Sequence, residues 1–138
     1  TVNVATNKTY SQISNYFYKG AASNAADGNT AGSEEACSHT NVTDGVIVPS
    51  DEYHWWQVDL GRIYPVHNIT VWARDKLSNR LYPFTITVDG QTCVSNVSDP
   101  GTRNLSVRCT SVMYGRVVRL TLMKKPETLN LCELQIFG

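Results

Sequence analysis

The sequence predicts an all-β domain built as a two-sheet sandwich, and three observations predict it. Short runs alternate apolar with polar residues, turn residues punctuate those runs, and no stretch of ten or more residues holds a capped 3.6-residue apolar period. In "WWQVDLG", Trp56, Val58 and Leu60 alternate with Gln57 and Asp59, and in "NITVWAR" the apolar set is Ile69, Val71 and Ala73. "YPFTITVDG" alternates Phe84, Ile86 and Val88 with threonines, then ends in Asp89-Gly90, a pair suited to the positive φ of a hairpin turn. "NLSVRC", "RVVRLTLM" and "LCELQIFG" repeat the pattern toward the C-terminus. Each run gives one face to a core and one to water, as strands of a sandwich do.

At 138 residues the chain fits a single domain, residues 1–138, large enough to bury roughly two-thirds of its unfolded surface. Twelve basic and twelve acidic side chains cancel, and no run of Lys or Arg exceeds two, which argues against nucleic acid and anionic membrane as partners. No apolar stretch approaches the ~20 residues of a bilayer span, so direct membrane insertion is not expected. The N-terminus lacks the basic and apolar regions of a signal peptide, and the chain reads as a mature or excised module of a larger protein. Its longest strandless tract runs from about residue 19 to 53. Compact domains keep such loops only when they bind something or are disordered, so function is expected there.

Cysteines and glycosylation sequons point to one compartment. Four cysteines, an even number, accompany five Asn-x-Ser/Thr sequons at Asn7, Asn41, Asn68, Asn96 and Asn104, the composition of a secreted or cell-surface protein. Four cysteines allow three pairings. Cys93 and Cys109 flank what reads as a hairpin and close most easily, leaving Cys37 to reach Cys132. Zinc is disfavoured because no C-x-x-C occurs and "CSH" at 37–39 lacks a second ligand pair at finger spacing.

Two clusters carry chemistry. In "SNAADGN", Asp27 lies between Asn24 and Asn29, with Gly28 to permit a sharp turn, so several oxygens can converge on one hard cation. Glu133 supplies a second carboxylate if the Cys37–Cys132 bond brings it alongside. An Asx-rich turn without an ion is the alternative. In "VWARDKLSNRLY", Arg74 and Arg80 offer rigid forks of N–H donors suited to hydroxyl oxygens. Two alternatives stand beside that reading: ion pairs with Asp75 and neighbouring acids on a solvated loop, or a protein-binding face with Tyr53, Trp72 and Tyr82. His39 and His54 flank the long loop, and His67 reads as a surface residue. No nucleophile elbow, phosphate loop or H-E-x-x-H occurs, so an enzyme is not expected.

"NVATNKTYSQIS", "SNAADGN", "CSHT", "WWQVDLG", "RDKLSNR", "GRVVRLTL" and "LCELQIFG" follow one another in an order that resembles the F-type lectins, fucose-binding relatives of discoidin and coagulation-factor C-type domains. The resemblance covers essentially the whole chain. It implies a jelly-roll β-sandwich of about eight main strands, a structural Ca2+ and a shallow sugar pocket. For the ion it implies side-chain ligation by Asp27 and Glu133, and carbonyls from Asn24, Asn29, Cys132 and Ala36, where a serine is more usual. For the sugar it implies His39, Arg74 and Arg80. The family loop reads Arg-x-Asp, then four residues and a basic side chain, often with two adjacent cysteines. Here Asp75 follows Arg74 directly, the loop is one residue shorter, and Leu77 and Ser78 replace the cysteines, Leu77 offering an apolar contact. The expected partners are fucosylated glycans or glycoproteins, bound by tandem modules or a homo-oligomer. A cell-surface protein ligand on the same scaffold is the alternative.

Overall fold

The computed structural model describes residues 2–13, 21–40, 53–76, 78–124 and 128–138. Among these lie eight strands: β1 (Thr9–Gln12), β2 (Ser38–His39), β3 (Trp55–Trp72), β4 (Phe84–Val88), β5 (Gln91–Val97), β6 (Asn104–Leu122), β7 (Asn130–Leu131) and β8 (Glu133–Phe137). The strand runs expected separately at "WWQVDLG" and "NITVWAR" belong to one 18-residue strand, β3, and "NLSVRC" and "RVVRLTL" to the 19-residue β6. These two pair antiparallel along their lengths, with register breaks between Asp59 and Tyr64 and between Val66 and Asn68. Bulges of this kind bend and twist a ladder without ending it.

The breaks divide the sheet into two halves. Toward Trp55, β3 carries β1, while β6 carries β4 and then β5; toward Trp72, β3 carries β8. The inward residues of both halves meet in one core that includes Trp56, Val58, Ile69, Val71, Leu120 and Ile136. That closure makes the sandwich, and the alternation read from the sequence supplies its inner faces. Burying each such side chain is worth about 1.5–3 kcal/mol relative to leaving it exposed.

The β4–β5 turn has Asp89 at φ 50° and Gly90 at φ 83°, as the Asp-Gly pair implied. Cys93 is bonded to Cys109, and Cys37 to Cys132. The first bond does not close a hairpin as expected. It links β5 to β6, whereas the ladder partner of β5 is β4, because the Asp-Gly turn claims that pairing. Trp56 is fully buried and donates Nε1–H to the Ala22 carbonyl at 2.8 Å, tying the Ala22–Ala26 3-10 turn to the core.

Candidate functional site

The Ala22–Ala26 turn leads into Asp27 and into Gly28, whose φ of 84° few other residues adopt without strain. The Cys37–Cys132 bond holds this loop against the start of β8. Gly28 N–H donates to Glu133 Oε2 at 2.9 Å, and Asn29 N–H donates to Asp27 Oδ1 at 2.9 Å. Asn24 Nδ2 donates to the Cys37 carbonyl at 3.3 Å. Asp27, Gly28, Asn24, Asn29 and Glu133, expected to share a site, therefore do share one neighbourhood. Ala36 ends the short Glu34–Ala36 turn beside Cys37 and offers only its backbone oxygen, having no hydroxyl.

Glu133 is 0% exposed, and its Oε1 has no hydrogen-bond partner. Burial pushes its carboxyl up to about 7; the Gly28 amide pulls it down, and Asp27 raises it further. A buried acid with one unsatisfied oxygen and a second carboxyl beside it is an environment that a cation relieves. No three His, Cys, Asp or Glu side chains gather at one point among the described residues. A hard ion here would therefore draw on carbonyl oxygens as well, which such ions accept.

The other half of the site is built on the short β2–β7 sheet, where Ser38 faces Leu131 and His39 faces Asn130. Arg74 Nη1 donates to Asn130 Oδ1 at 2.9 Å, and Asn130 Nδ2 donates to the Leu129 carbonyl at 3.2 Å. Arg74 Nε is buried without a partner. His39, 6% exposed, lies 2.7 Å through Nδ1 from the Thr40 carbonyl, so Nδ1 carries the proton. Thr40 Oγ1 lies 2.6 Å from Nδ1 of the wholly buried His54 and accepts from Leu129 N–H at 2.8 Å. Burial, and then the charge on His39, hold His54 below the ordinary histidine range. The two candidate histidines thus belong to one buried network. His67 lies within β3 at the second register break.

Arg80 lies in the 3-10 turn Ser78–Leu81, which packs against β7. Among the described residues it forms no ion pair, and neither does Arg74. Asp75 is exposed and donates its amide to the Gly32 carbonyl at 3.0 Å, and no ion pair joins it to either arginine among the described residues. Tyr82 is 2% exposed, which removes it from any exposed protein-binding face. Leu77 and Asn41 lie outside the described residues. Of the other sequons, Asn7, Asn96 and Asn104 are exposed, while Asn68 is half-buried and accepts from Arg108 Nε at 3.0 Å.

Two residues that sequence reasoning passed over organise these halves. Asn130, a lone amide in "LNLCEL", is 1% exposed; a polar residue inside an apolar run was the available signal. Arg103 donates Nε–H to the Ala73 carbonyl at 3.0 Å and Nη2–H to the Thr30 carbonyl at 2.6 Å, with its guanidinium 5.5 Å from the Trp72 ring centre. It therefore joins the Asp27 loop to the strand end that carries Arg74. Gly32 is required between them: a Cβ there would stand 2.5 Å from Asp75 N and 2.9 Å from Arg103 Cζ.

Residues 24–120 match the family model of the F5/F8 type C domains described as NedA-like, galactose-binding. Fucolectin-3 of Anguilla japonica is 28% identical over 127 residues, 83% of this chain and 65% of that protein, so the chain spans just under two-thirds of that relative's length. The fucolectin of Anguilla anguilla is 28% identical over 83% of this chain and 75% of its own. Among solved structures, the lectin domain of lectinolysin, complexed with Lewis B antigen, superposes with a TM-score of 0.83 at 31% identity over 99% of this chain and 96% of that one. The serum fucolectin of Morone saxatilis gives 0.83 at 27% identity, over 99% of this chain and 47% of that one.

Proposed function

The chain belongs to the F5/F8 type C domain family in its F-type lectin form, and from that premise we propose that it is an extracellular, calcium-holding module that binds fucosylated glycans. The observation that carries the reading is the convergence on β7 of Arg74, held by Asn130, and of the turn bearing Arg80, which has no partner among the described residues. A deoxyhexose offers hydroxyl and ring oxygens as acceptors and a methyl-bearing apolar face. Arg74, oriented through Nη1 with Nε buried, presents its remaining Nη N–H groups; Arg80 supplies a second guanidinium, and His39 stands across the sheet from Asn130. Charged hydrogen bonds of this kind contribute about 1.5–3 kcal/mol each where water is excluded.

The Asp27 and Glu133 carboxylates, with carbonyls of Asn24, Asn29, Ala36 and Cys132, would hold the cation. When bound, a calcium ion supplies the positive charge that buried Glu133 lacks. The two disulfides and the exposed sequons support an extracellular setting. The fucolectin relatives support binding rather than catalysis as its task. One shallow site binds weakly, so avidity would come from tandem modules or a homo-oligomer.

A glycan array on enzymatically deglycosylated protein, with and without chelator, tests the proposal. Fucose-terminated spots should light, dim with chelator and compete with free fucose. A blank array under both conditions would move the arginine surface to protein recognition.

A further inference from the structure

The bend of β3 gathers two cations on one tyrosine. Residues 60–63 have only Arg116 opposite them, because Asp59 pairs with Val117 and Tyr64 with Gly115. Bulges re-aim the side chains they carry. Gly61 turns the chain at φ 83°, with its N–H donating to Asp59 Oδ1 at 2.9 Å. Arg62 follows, its guanidinium 4.3 Å from the centre of the Tyr64 ring. Lys8 arrives from the segment before β1; its Nζ donates to the Tyr64 hydroxyl at 3.2 Å and stands 4.9 Å from the same ring centre.

The Lys8 backbone is anchored to the core. Its N–H donates to the Tyr10 hydroxyl at 3.0 Å, that hydroxyl donates to the Ala5 carbonyl at 2.6 Å, and the Tyr10 ring stacks on buried Trp56. Lys8 and Tyr64 are half-buried, and Arg62 is exposed. The charges in this corner do not cancel. Asp59 is bonded to Arg116 at 2.6 and 3.2 Å, and Asp89 accepts the Arg116 and Val117 amides. Neither Lys8 nor Arg62 pairs with a carboxylate among the described residues. Arg62 and then Lys8, hydrogen-bonded to the Tyr64 hydroxyl, hold its phenol below the ordinary tyrosine range. Two like charges at one side chain repel, and an anion placed against both reverses the sign of the interaction.

Such an anion would meet the Lys8 ammonium, the Arg62 fork and the Tyr64 O–H, whose proton has no acceptor among the described residues. A compact ammonium, a planar fork and a phenol around one point suit the several terminal oxygens of a tetrahedral oxyanion. We propose that Lys8, Arg62 and Tyr64 form an oxyanion site that takes a sulfate ester carried by a sulfated glycan. The choice of sulfate over phosphate rests on the extracellular setting proposed above; the site itself does not rest on fucose binding. It lies at the bend of β3, whereas Arg74 follows the Trp72 end of that strand, so the two sites fill independently.

Calorimetry with a heparin-derived sulfated tetrasaccharide and its chemically desulfated counterpart tests it, on wild type, Lys8→Gln, Arg62→Gln, the double variant and Lys124→Gln. Unfolding curves and L-fucose titrations run in parallel. The protein is first trimmed with an endoglycosidase, because Asn7 beside Lys8 is a sequon. Wild type should bind the sulfated tetrasaccharide and give no heat with the desulfated one. Each single variant should weaken binding about threefold, the share of one exposed ion pair, and the double variant about tenfold, with unfolding and L-fucose binding unchanged. Lys124→Gln removes a cation that is absent from the Tyr64 cluster, and it should bind as wild type does. Several results overturn the oxyanion site and leave the lectin reading standing: no binding by wild type, equal binding of the desulfated glycan, an unchanged double variant, or a loss in Lys124→Gln as large as the double variant's. Sulfated-glycan binding that follows the expected order, without any heat from L-fucose, supports this site while overturning the lectin reading.

Discussion

Arg74 donates from Nη1 to Asn130 Oδ1 at 2.9 Å, and Asn130 stands directly opposite His39 across the β2–β7 sheet. A neutral amide, itself anchored to the Leu129 carbonyl, therefore holds the guanidinium, where the sequence had offered Asp75 and neighbouring acids as ion-pair partners. Arg74 forms no ion pair among the described residues, so under the proposed function its charge is free to meet a ligand's oxygens.

Asn130→Ala should therefore misdirect Arg74 without removing it. The expected result is about a tenfold loss of fucose affinity by calorimetry, with about 1–2 kcal/mol lost in urea unfolding because a buried hydrogen bond disappears. Asn130→Asp restores an acceptor but neutralises the arginine, so it should recover stability more fully than affinity.

Arg103 links Thr30 in the Asp27 loop to Ala73 beside Arg74, and Gly32 leaves the space for that contact. Arg103→Ala should weaken calcium and fucose binding together, because a shared structural element makes the two affinities reciprocal. Titrating calcium with and without saturating fucose measures the coupling directly. It should be present in wild type and lost in Arg103→Ala. Gly32→Ala attacks the same contact from the other side and should reduce the coupling likewise.

Glu133 gives the calcium-free protein a defined pH response. Its folded-state value of about 7 lies above the ordinary 4.5, so its contribution to stability is fully present below about pH 4.5 and is lost as pH rises through 7. In chelator, the melting temperature should fall over that window, less any opposing contribution from other groups. Calcium competes with the proton, so its stabilising effect should grow over the same interval. Glu133→Gln should flatten the chelator profile and abolish the calcium response, as differential scanning calorimetry across pH 4.5–7.5 would show.

The fold was legible because alternation reports burial directly: Trp56, Val58 and Leu60, or Phe84, Ile86 and Val88, face the core as their spacing implied. The continuity of β3 and β6 was not legible. Gly61 and Pro65 lie between the two alternating runs, and only pairing with a partner strand carries the ladder across them. The Cys93–Cys109 span read as a hairpin for a related reason, since a short separation in sequence says nothing of the strand that inserts between. In the candidate site, residue type pointed to Arg74, Arg80, Asp27 and Glu133, whose chemistry is distinctive, and the family resemblance pointed to His39. Asn130 and Arg103 act through position alone. Their partners, Arg74 56 residues away and Thr30 73 residues away, are brought near only by the folded chain.

Under the proposed function, Arg74 and Arg80 hold a fucose ring. Titration calorimetry with L-fucose on deglycosylated, calcium-loaded wild type, Arg74→Ala and Arg80→Ala tests it most directly, with unfolding followed in parallel. Wild type should give a saturable heat at millimolar fucose, and each substitution should weaken binding about 10- to 100-fold, the loss expected for charged hydrogen bonds. Arg80→Ala should leave stability within about 0.5 kcal/mol, since Arg80 holds no partner among the described residues. No heat from wild type at millimolar fucose, or equal heats from all three proteins, would contradict the account.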